Sequence, residues 1–293
     1  MNYKIKGTIY TVISSVLFGL MPLITKIAYQ YGTNAYMVSL GRFFFGTIFL
    51  GLLCLLKKKA ILIAKEDTKK ILIISLPYSL VPIILYSSYK YIESGLATIL
   101  HFSYPMQVVL LSFIFLKRRL NSKQMFCEIL CLFGIGLLAN EYGIQNYQGM
   151  LIALLSGLIY ACYIILLENY KPNKVDSLVL SFWVSFFSLV IIVVVTFFTN
   201  NFVFTNSSIT LGCFTFLGLF ATAFGTHLFQ NGVILIGSIK ASLLSTFEPI
   251  TGIIMGIIVF NELLTIKEAV SIILIMLAAC LIVMPNKKKE KNT

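Results

Sequence analysis

A chain of 293 residues that is 58% hydrophobic and 12% charged, with a mean hydropathy of +0.92, holds more apolar side chains than a water-soluble core can take, so its solvent is lipid. Its net charge of +12 would suit a nucleic-acid partner, but the basic residues cluster in short connections between apolar runs, a pattern that orients a chain in a bilayer instead. The short connections also leave no room for a soluble domain.

Ten runs have spanning length, roughly 17–25 residues each. The first, about residues 7–29, follows Lys4 and Lys6 as the apolar part of a signal sequence would. It is too long for that role and lacks a small-x-small cleavage site, so it is read as a helix, with Pro22 as a bend and Lys26 snorkelling at its end. The second, about 36–56, carries Arg42 in "SLGRFFFG", about 9 Å from the outer end by helix rise. Its guanidinium either pairs with a carboxylate of substrate or protein or snorkels to headgroups. The third, about 70–89, holds Tyr78 and Tyr86 and is interrupted by Pro77 and Pro82, which serve as gating kinks or as bends. The fourth, about 95–116, groups His101, Tyr104, Pro105 and Gln107; the imidazole either exchanges protons near neutral pH or packs as a neutral hydrogen-bonding group.

The fifth, about 123–140, has Cys127 and Cys131 on one face. With no His or carboxylate beside them they are read, like the other cysteines, as packing residues rather than metal ligands. The sixth, about 147–168, contains Tyr160 and ends at Glu168, a snorkelling position; the seventh, about 177–199, contains Trp183; the eighth, about 209–231, has His227 near its inner end. Tyr78, Tyr86, Tyr104, Tyr160 and Trp183 have polar tips that need partners, so they either line a cavity, as an aromatic cage for a cation would, or pack in the core. The ninth, about 238–260, carries Glu248 and Pro249 in "ASLLSTFEPITGIIMGII", with Gly252 and Gly256 forming a close-packing face. The tenth runs over about 267–284.

With the N-terminus in the cytoplasm, every Lys and Arg of the 23 except Lys26, Arg42, Lys90 and Lys267 falls on the inner side. Both termini are therefore expected inside, in a multi-pass protein of the cytoplasmic membrane.

The runs repeat. Aligning Pro105 with Pro249 puts "ESGLATILHFSYPMQVVLLSFIFLKRRLNSKQ" over "GSIKASLLSTFEPITGIIMGIIVFNELLTIKE", an offset of 144 residues; "GTIYTVISSVLFGLMPLITK" aligns with "GMLIALLSGLIYACYIILLE" at an offset of 142. Residues 1–140 and 141–293 are thus two five-helix repeats. Five is odd, so the second enters from the opposite side: an all-α polytopic protein of ten transmembrane helices in two inverted repeats, the design of carriers whose halves rock about a central site.

Glu248 lies about 15 Å into the ninth run, and Pro105 sits at the matching depth of the fourth. Prolines at corresponding mid-membrane positions point to the binding region of such a carrier, because the carbonyls they free need protein or water as partners. A carboxyl at that depth avoids lipid and is expected either to bind a cationic group or to carry a proton.

The stretch "YSSYKYIESGLATILHFSYPMQVVLLSFIFLKRRLNSKQ", the helix around Gly134, and "FQNGVILIGSIKASLLSTFEPITGIIMGIIVFNELLTIKEA" together resemble the two halves of an EamA-type transporter of the drug/metabolite transporter superfamily. Pro249 and "NELLT" (Asn261, Glu262, Leu263) match the family's second copy, and "GRFFFG" resembles its second-helix Arg. The first copy departs, with Arg118 where Glu262 stands. The resemblance implies ten helices, inverted repeats, cytoplasmic termini and movement of small metabolites, often outward. The expectation is an ATP-independent exporter of an amino acid or similar solute, without cofactor or metal, acting as a monomer or homodimer with Glu248, Arg42, His101, Tyr104, Gln107, Tyr86, Tyr160, Trp183 and His227 as candidate site residues and Pro105, Pro249, Pro77 and Pro82 as kinks. An importer of a cationic or aromatic solute, such as a quaternary amine, is the alternative, and a non-transporting scaffold the alternative of another class. His101 and His227 lie on different helices without a nucleophile or carboxylate beside them, so no enzyme is expected.

Overall fold

The computed structural model describes residues 3–116, 122–142, 146–169, 175–237, 241, 244–245, 247–261 and 265–283. Among them, seven helical stretches are long and apolar enough to cross a membrane: Tyr3–Gln30, Ala35–Leu56, Lys65–Ser88, Ser94–Phe115, Tyr147–Asn169, Ser177–Phe198 and Ser208–Ile236. Shorter apolar helices lie at Met125–Leu137, Phe247–Phe260 and Ala269–Ala278.

Proline placement explains two breaks. α1 (Tyr3–Gly19) hands over to α2 (Met21–Gln30) just before Pro22, which sits in the first turn of α2 where no helical donor is lost. After α3 (Ala35–Leu56) and α4 (Lys65–Ser88), α5 (Ser94–His101) gives way to α6 (Tyr104–Leu116) across Phe102 and Ser103, with Pro105 opening the second piece. Pro77 and Pro82 behave otherwise. α4 runs unbroken through both, so the expected interruption of this helix is corrected: α4 is packed along α8 and α9, and such neighbours sustain a helix whose ladder proline has thinned.

The remaining elements are α7 (Ser122–Tyr142), α8 (Tyr147–Asn169), α9 (Ser177–Phe198), α10 (Ser208–Phe216), a π-helical stretch (Leu217–Thr226), α11 (His227–Ile236), α12 (Phe247–Phe260) and α13 (Ile266–Val283). On α3 the outward stripe is Phe44, Ile48, Leu52 and Leu55, while Ser39, Arg42, Gly46 and Cys54 face inward. This is the arrangement of a helix with lipid on one side and polar or small contacts on the other.

Helices of the first half pack chiefly on helices of the second. The closest pairs are α1 with α11, α3 with α9, α4 with α8 and α7 with α13. Exchanging each helix for its partner at the 142–144-residue offset maps α1–α11 onto α8–α4, α6–α8 onto α12–α1, and the contact of α3 with the π-helical stretch onto that of α9 with α4. The match extends to single residues. Asn34 caps the start of α3 by accepting from Met37 N at 2.9 Å, and Asp176 caps α9 by accepting from Leu178 N at 2.9 Å. Beyond the other ends, Lys58 and Asn200, 142 residues apart, are both left-handed, with φ of 50° and 52°.

Glycines set the closest approach of the halves. α3 crosses the π-helical stretch at Gly46 and Gly218, where a Cβ on Gly218 would stand 2.7 Å from the Gly46 nitrogen. Backbone cannot yield as a side chain does, so Gly218→Ala should lower stability by roughly 1–3 kcal/mol through overpacking, read as a fall in the thermal midpoint of the detergent-solubilised protein.

Candidate functional site

Between the halves lies a narrow cavity of about 30 Å³, lined by Phe18 and Met21 of the first span, Arg42 of α3, Tyr78, Val81, Pro82, Leu85 and Tyr86 of α4, His101 of α5, Tyr160 of α8 and Glu248 of α12. It has room for a water or two. Five of the candidate residues therefore meet there: Arg42, Tyr86, His101, Tyr160 and Glu248, with Pro82 in the wall.

Arg42 is only 4% exposed and does not reach for headgroups. Its Nε donates to Thr222 Oγ1 at 2.9 Å, Nη2 to Tyr78 Oη at 3.0 Å and Nη1 to Tyr86 Oη at 3.3 Å. The guanidinium also lies over the rings of Phe43 and Tyr78, 5.3 and 5.8 Å from their centroids. Tyr78 Oη is shared further with Thr226 Oγ1, and Tyr86 Oη reaches Met21 Sδ at 3.5 Å. One cation thereby joins α3, α4 and the π-helical stretch through hydroxyls.

Glu248, also 4% exposed, stands in the first turn of α12, where its N–H donates to Ser245 O at 2.9 Å. α1 passes close by: a Cβ on Gly19 would be 2.6 Å from Glu248 O. His101 meets Ser156 of α8 through Nδ1 at 2.8 Å, and the Ser156 hydroxyl is committed to Ala153 O at 2.6 Å. Nδ1 is therefore assigned as the donor and Nε2 as the acceptor. The His101 ring packs against Tyr104 and Tyr160 at 5.7 and 5.4 Å.

Other candidates go elsewhere. Tyr104 is fully buried against His101, and Gln107 donates from Nε2 to Ser103 Oγ at 2.8 Å and, toward α8, to Leu154 O at 3.4 Å. Trp183 donates from Nε1 to Ile61 O at 2.8 Å and packs among Phe182, Phe186 and Phe187. Pro105 and Pro249 open α6 and α12 without lining the cavity, and neither does Pro77. Arg118 and Glu262 lie outside the described residues.

His227 lines a second, larger space of about 590 Å³, an open vestibule bounded by Lys6 and Tyr10 of α1, Lys57 and Lys59 after α3, Asp176 and Ser177 at the start of α9, and Asn231 of α11. A buried polar seam leads from it toward the cavity. His227 Nδ1 contacts Ser181 Oγ at 3.1 Å, Ser181 donates to Gln230 Oε1 at 2.6 Å, and Gln230 Nε2 donates to Tyr163 Oη at 3.2 Å. The Tyr163 ring then lies 4.8 Å from that of Tyr78. Thr222, Thr226 and Ser181 carried no signal in the sequence, because Ser and Thr in apolar helices commonly bond their own backbone, and Gln230, near the end of the eighth run, was not singled out.

The sequence model of the EamA-like transporter family matches residues 5–140 and 147–284, once in each half. No curated protein matches the chain. Among the solved structures that do, one crystal structure of a protein, 14% identical, covers 94% of this chain and 96% of its own at a TM-score of 0.68. That likeness is one of fold.

A lysine ammonium is a compact charge and cannot span the three hydroxyls that the planar guanidinium serves. Arg42→Lys is expected to leave at least one of Thr222, Tyr78 and Tyr86 unpaired and to cost about 1–3 kcal/mol, measured by denaturant or thermal unfolding in detergent.

Proposed function

Because the chain belongs to the EamA-like transporter family, we propose that it is a secondary transporter exporting an amino acid or a similarly zwitterionic metabolite across the cytoplasmic membrane. The observation that carries this reading is the pairing of charges in the cavity, where the guanidinium of Arg42 and the carboxyl of Glu248 stand among Tyr78, Tyr86, Tyr160 and Phe18. A zwitterion presents the complement of both. A purely cationic solute would meet Arg42 as a like charge, which weighs against the quaternary-amine importer although the tyrosine walls alone would suit one.

The working cycle is alternating access between two inverted five-helix repeats, ten spans in all with cytoplasmic termini. What supports it is the exchange symmetry of the packing and the matching ends of α3 and α9. The vestibule is walled by Lys6, Lys57 and Lys59, on the side the positive-inside rule assigns to the cytoplasm, where an exporter loads. The cavity is too small for an amino acid, so the halves must part to admit one. Glu248 is the group to couple that movement to a proton gradient, being the carboxyl that shares the cavity with the solute.

Screening amino acids for thermal stabilisation across pH tests the binding role, since a ligand selective for the folded state raises the midpoint. Glu248→Gln should weaken the hit by about tenfold, the equivalent of roughly 1.4 kcal/mol; an undiminished shift removes Glu248 from the site. In proteoliposomes, uptake should respond to an imposed pH step. Flux indifferent to pH eliminates the proton role, and flux no greater than that of protein-free liposomes in wild type and Glu248→Gln alike supports the scaffold.

A further inference from the structure

We infer that the antiparallel pair α3–α9 is a fixed spine about which the two halves rock, fastened at both ends by one duplicated clasp; this deepens the transporter reading and rests on it. Each clasp grows from an N-cap. Asn34 uses Oδ1 to cap α3 and donates from Nδ2 to Asn201 O at 3.0 Å. Asp176, at the 142-residue offset, caps α9 through Oδ1 and takes the Lys59 ammonium on Oδ2 at 2.7 Å.

The receiving residues are duplicated too. Lys59 follows left-handed Lys58, and its N–H returns to Cys54 O at 2.9 Å; Asn201 follows left-handed Asn200, and its N–H returns to Thr196 O at 3.1 Å. These are the same helix stop written twice. Lysine and asparagine hold the left-handed positions that glycine usually fills.

Both clasps are closed at once. The vestibule of about 590 Å³ is open at the Lys59 end, with Lys59 and Asp176 in its wall, and yet Lys59 and Asp176 are joined. A contact that stays closed where the bundle is open is not the gate at that end. The Asn34–Asn201 bond is made at the other end in the same state.

The attachments are spread along the pair. α3 has 22 residues, so the clasps stand about 33 Å apart. Between them, Gly51 admits the Phe182 ring to 3.3 Å of where its Cβ would be, and the Trp183–Ile61 bond fastens the segment after α3 to α9. The Asp176 carboxyl experiences burial that pushes its pKa up, but the Lys59 hydrogen bond and the Leu178 N–H outweigh it and hold the group below the usual carboxylate range. As a half-exposed ion pair it is weak by itself. Two separated attachments, rather than the strength of either, suppress sliding and tilting. Movement is left to the other helices that line the cavity and vestibule, α1, α2, α4, α5, α8, α11, α12 and the π-helical stretch.

The test uses the full chain with its six native cysteines replaced and two pairs introduced, Asn34→Cys with Asn201→Cys and Lys59→Cys with Asp176→Cys. Each pair is joined by a short bis-maleimide, singly and together, and uptake of a labelled amino-acid mixture is followed in proteoliposomes. Cross-linked protein is expected to keep flux within about twofold of its unlinked parent, as a hinge element should. Linking Lys6→Cys to Lys57→Cys across the vestibule is expected to stop it. A loss of about tenfold or more with either clasp joined overturns the spine, because an element that must open cannot work when locked.

Absence of flux in the unlinked parent counts against the transporter reading instead. The spine is then read without flux, from spin labels on the same pairs in the presence and absence of the mixture. One unchanged distance per clasp sustains it, and two populations at either clasp overturn it.

Discussion

An arginine inside an apolar bundle keeps its charge under all ordinary conditions, and everything near it must accommodate that fact. Here the accommodation is made of hydroxyls. Thr222, Tyr78 and Tyr86 take the three nitrogens of Arg42, and Thr226, Met21 and Tyr29 hold the two tyrosines in turn. The network spans both halves, since Arg42 and the tyrosines belong to the first and Thr222 and Thr226 to the second. None of these partners neutralises the guanidinium. The Glu248 carboxyl lines the same cavity, and in the proposed function the space they share is where an ionic solute would be cheaper to hold than in lipid.

The geometry of the halves follows from close backbone contact at glycines and small polar residues. Gly46 against Gly218, Gly19 against Glu248 O, and Gly157 against His101 O, a would-be Cβ contact of 2.6 Å, all join helices of opposite halves. The last concerns a carbonyl that Pro105 deprives of its helical donor, and Gly157 gives α8 access to that turn. In the second half, Pro249 cannot serve Ser245 O, which takes the Glu248 N–H at 2.9 Å instead, and Ser15 of α1 reaches the neighbouring Leu244 O at 3.2 Å. Both proline turns are thus covered by the opposite half, as an apolar solvent demands.

Much of this was legible in the sequence. Seven of the ten expected spans are met by helices of spanning length among the described residues, Pro22 and Pro105 were read as a bend and a kink where the structure changes from one helix to the next, and Arg42 and Glu248 stood out by the cost of charge in lipid. Other features were not. Proline at 77 and 82 says nothing of the neighbours that keep α4 whole. Hydropathy does not reveal which way a helix is turned, so Trp183 and Tyr160 looked alike, although one holds a loop and the other walls the cavity. The sequence set His101 beside Pro105 and His227 near the inner end of its run, but only the packing showed that one lines the cavity and the other the vestibule. The π-helical stretch at Leu217–Thr226 has no local signature, yet it carries both threonines of the arginine network.

The Ser181–Gln230–Tyr163 seam and the Tyr78–Thr226 contact run from the vestibule toward the cavity as hydrogen-bonded pairs. That matters for how a passage opens. Parting an apolar seal exposes oil to water, whereas parting hydrogen-bonded pairs lets water replace each partner nearly one for one. Fully buried Gln230 and Ser181 are costly residues to keep in a membrane helix if they only pack. In the proposed alternating-access cycle they would pair with each other when the route is shut and with water or solute when it is open, so that neither state is heavily penalised. The polar seam between a basic vestibule and the cavity therefore suits the proposed carrier, whose two states have to stay close in free energy.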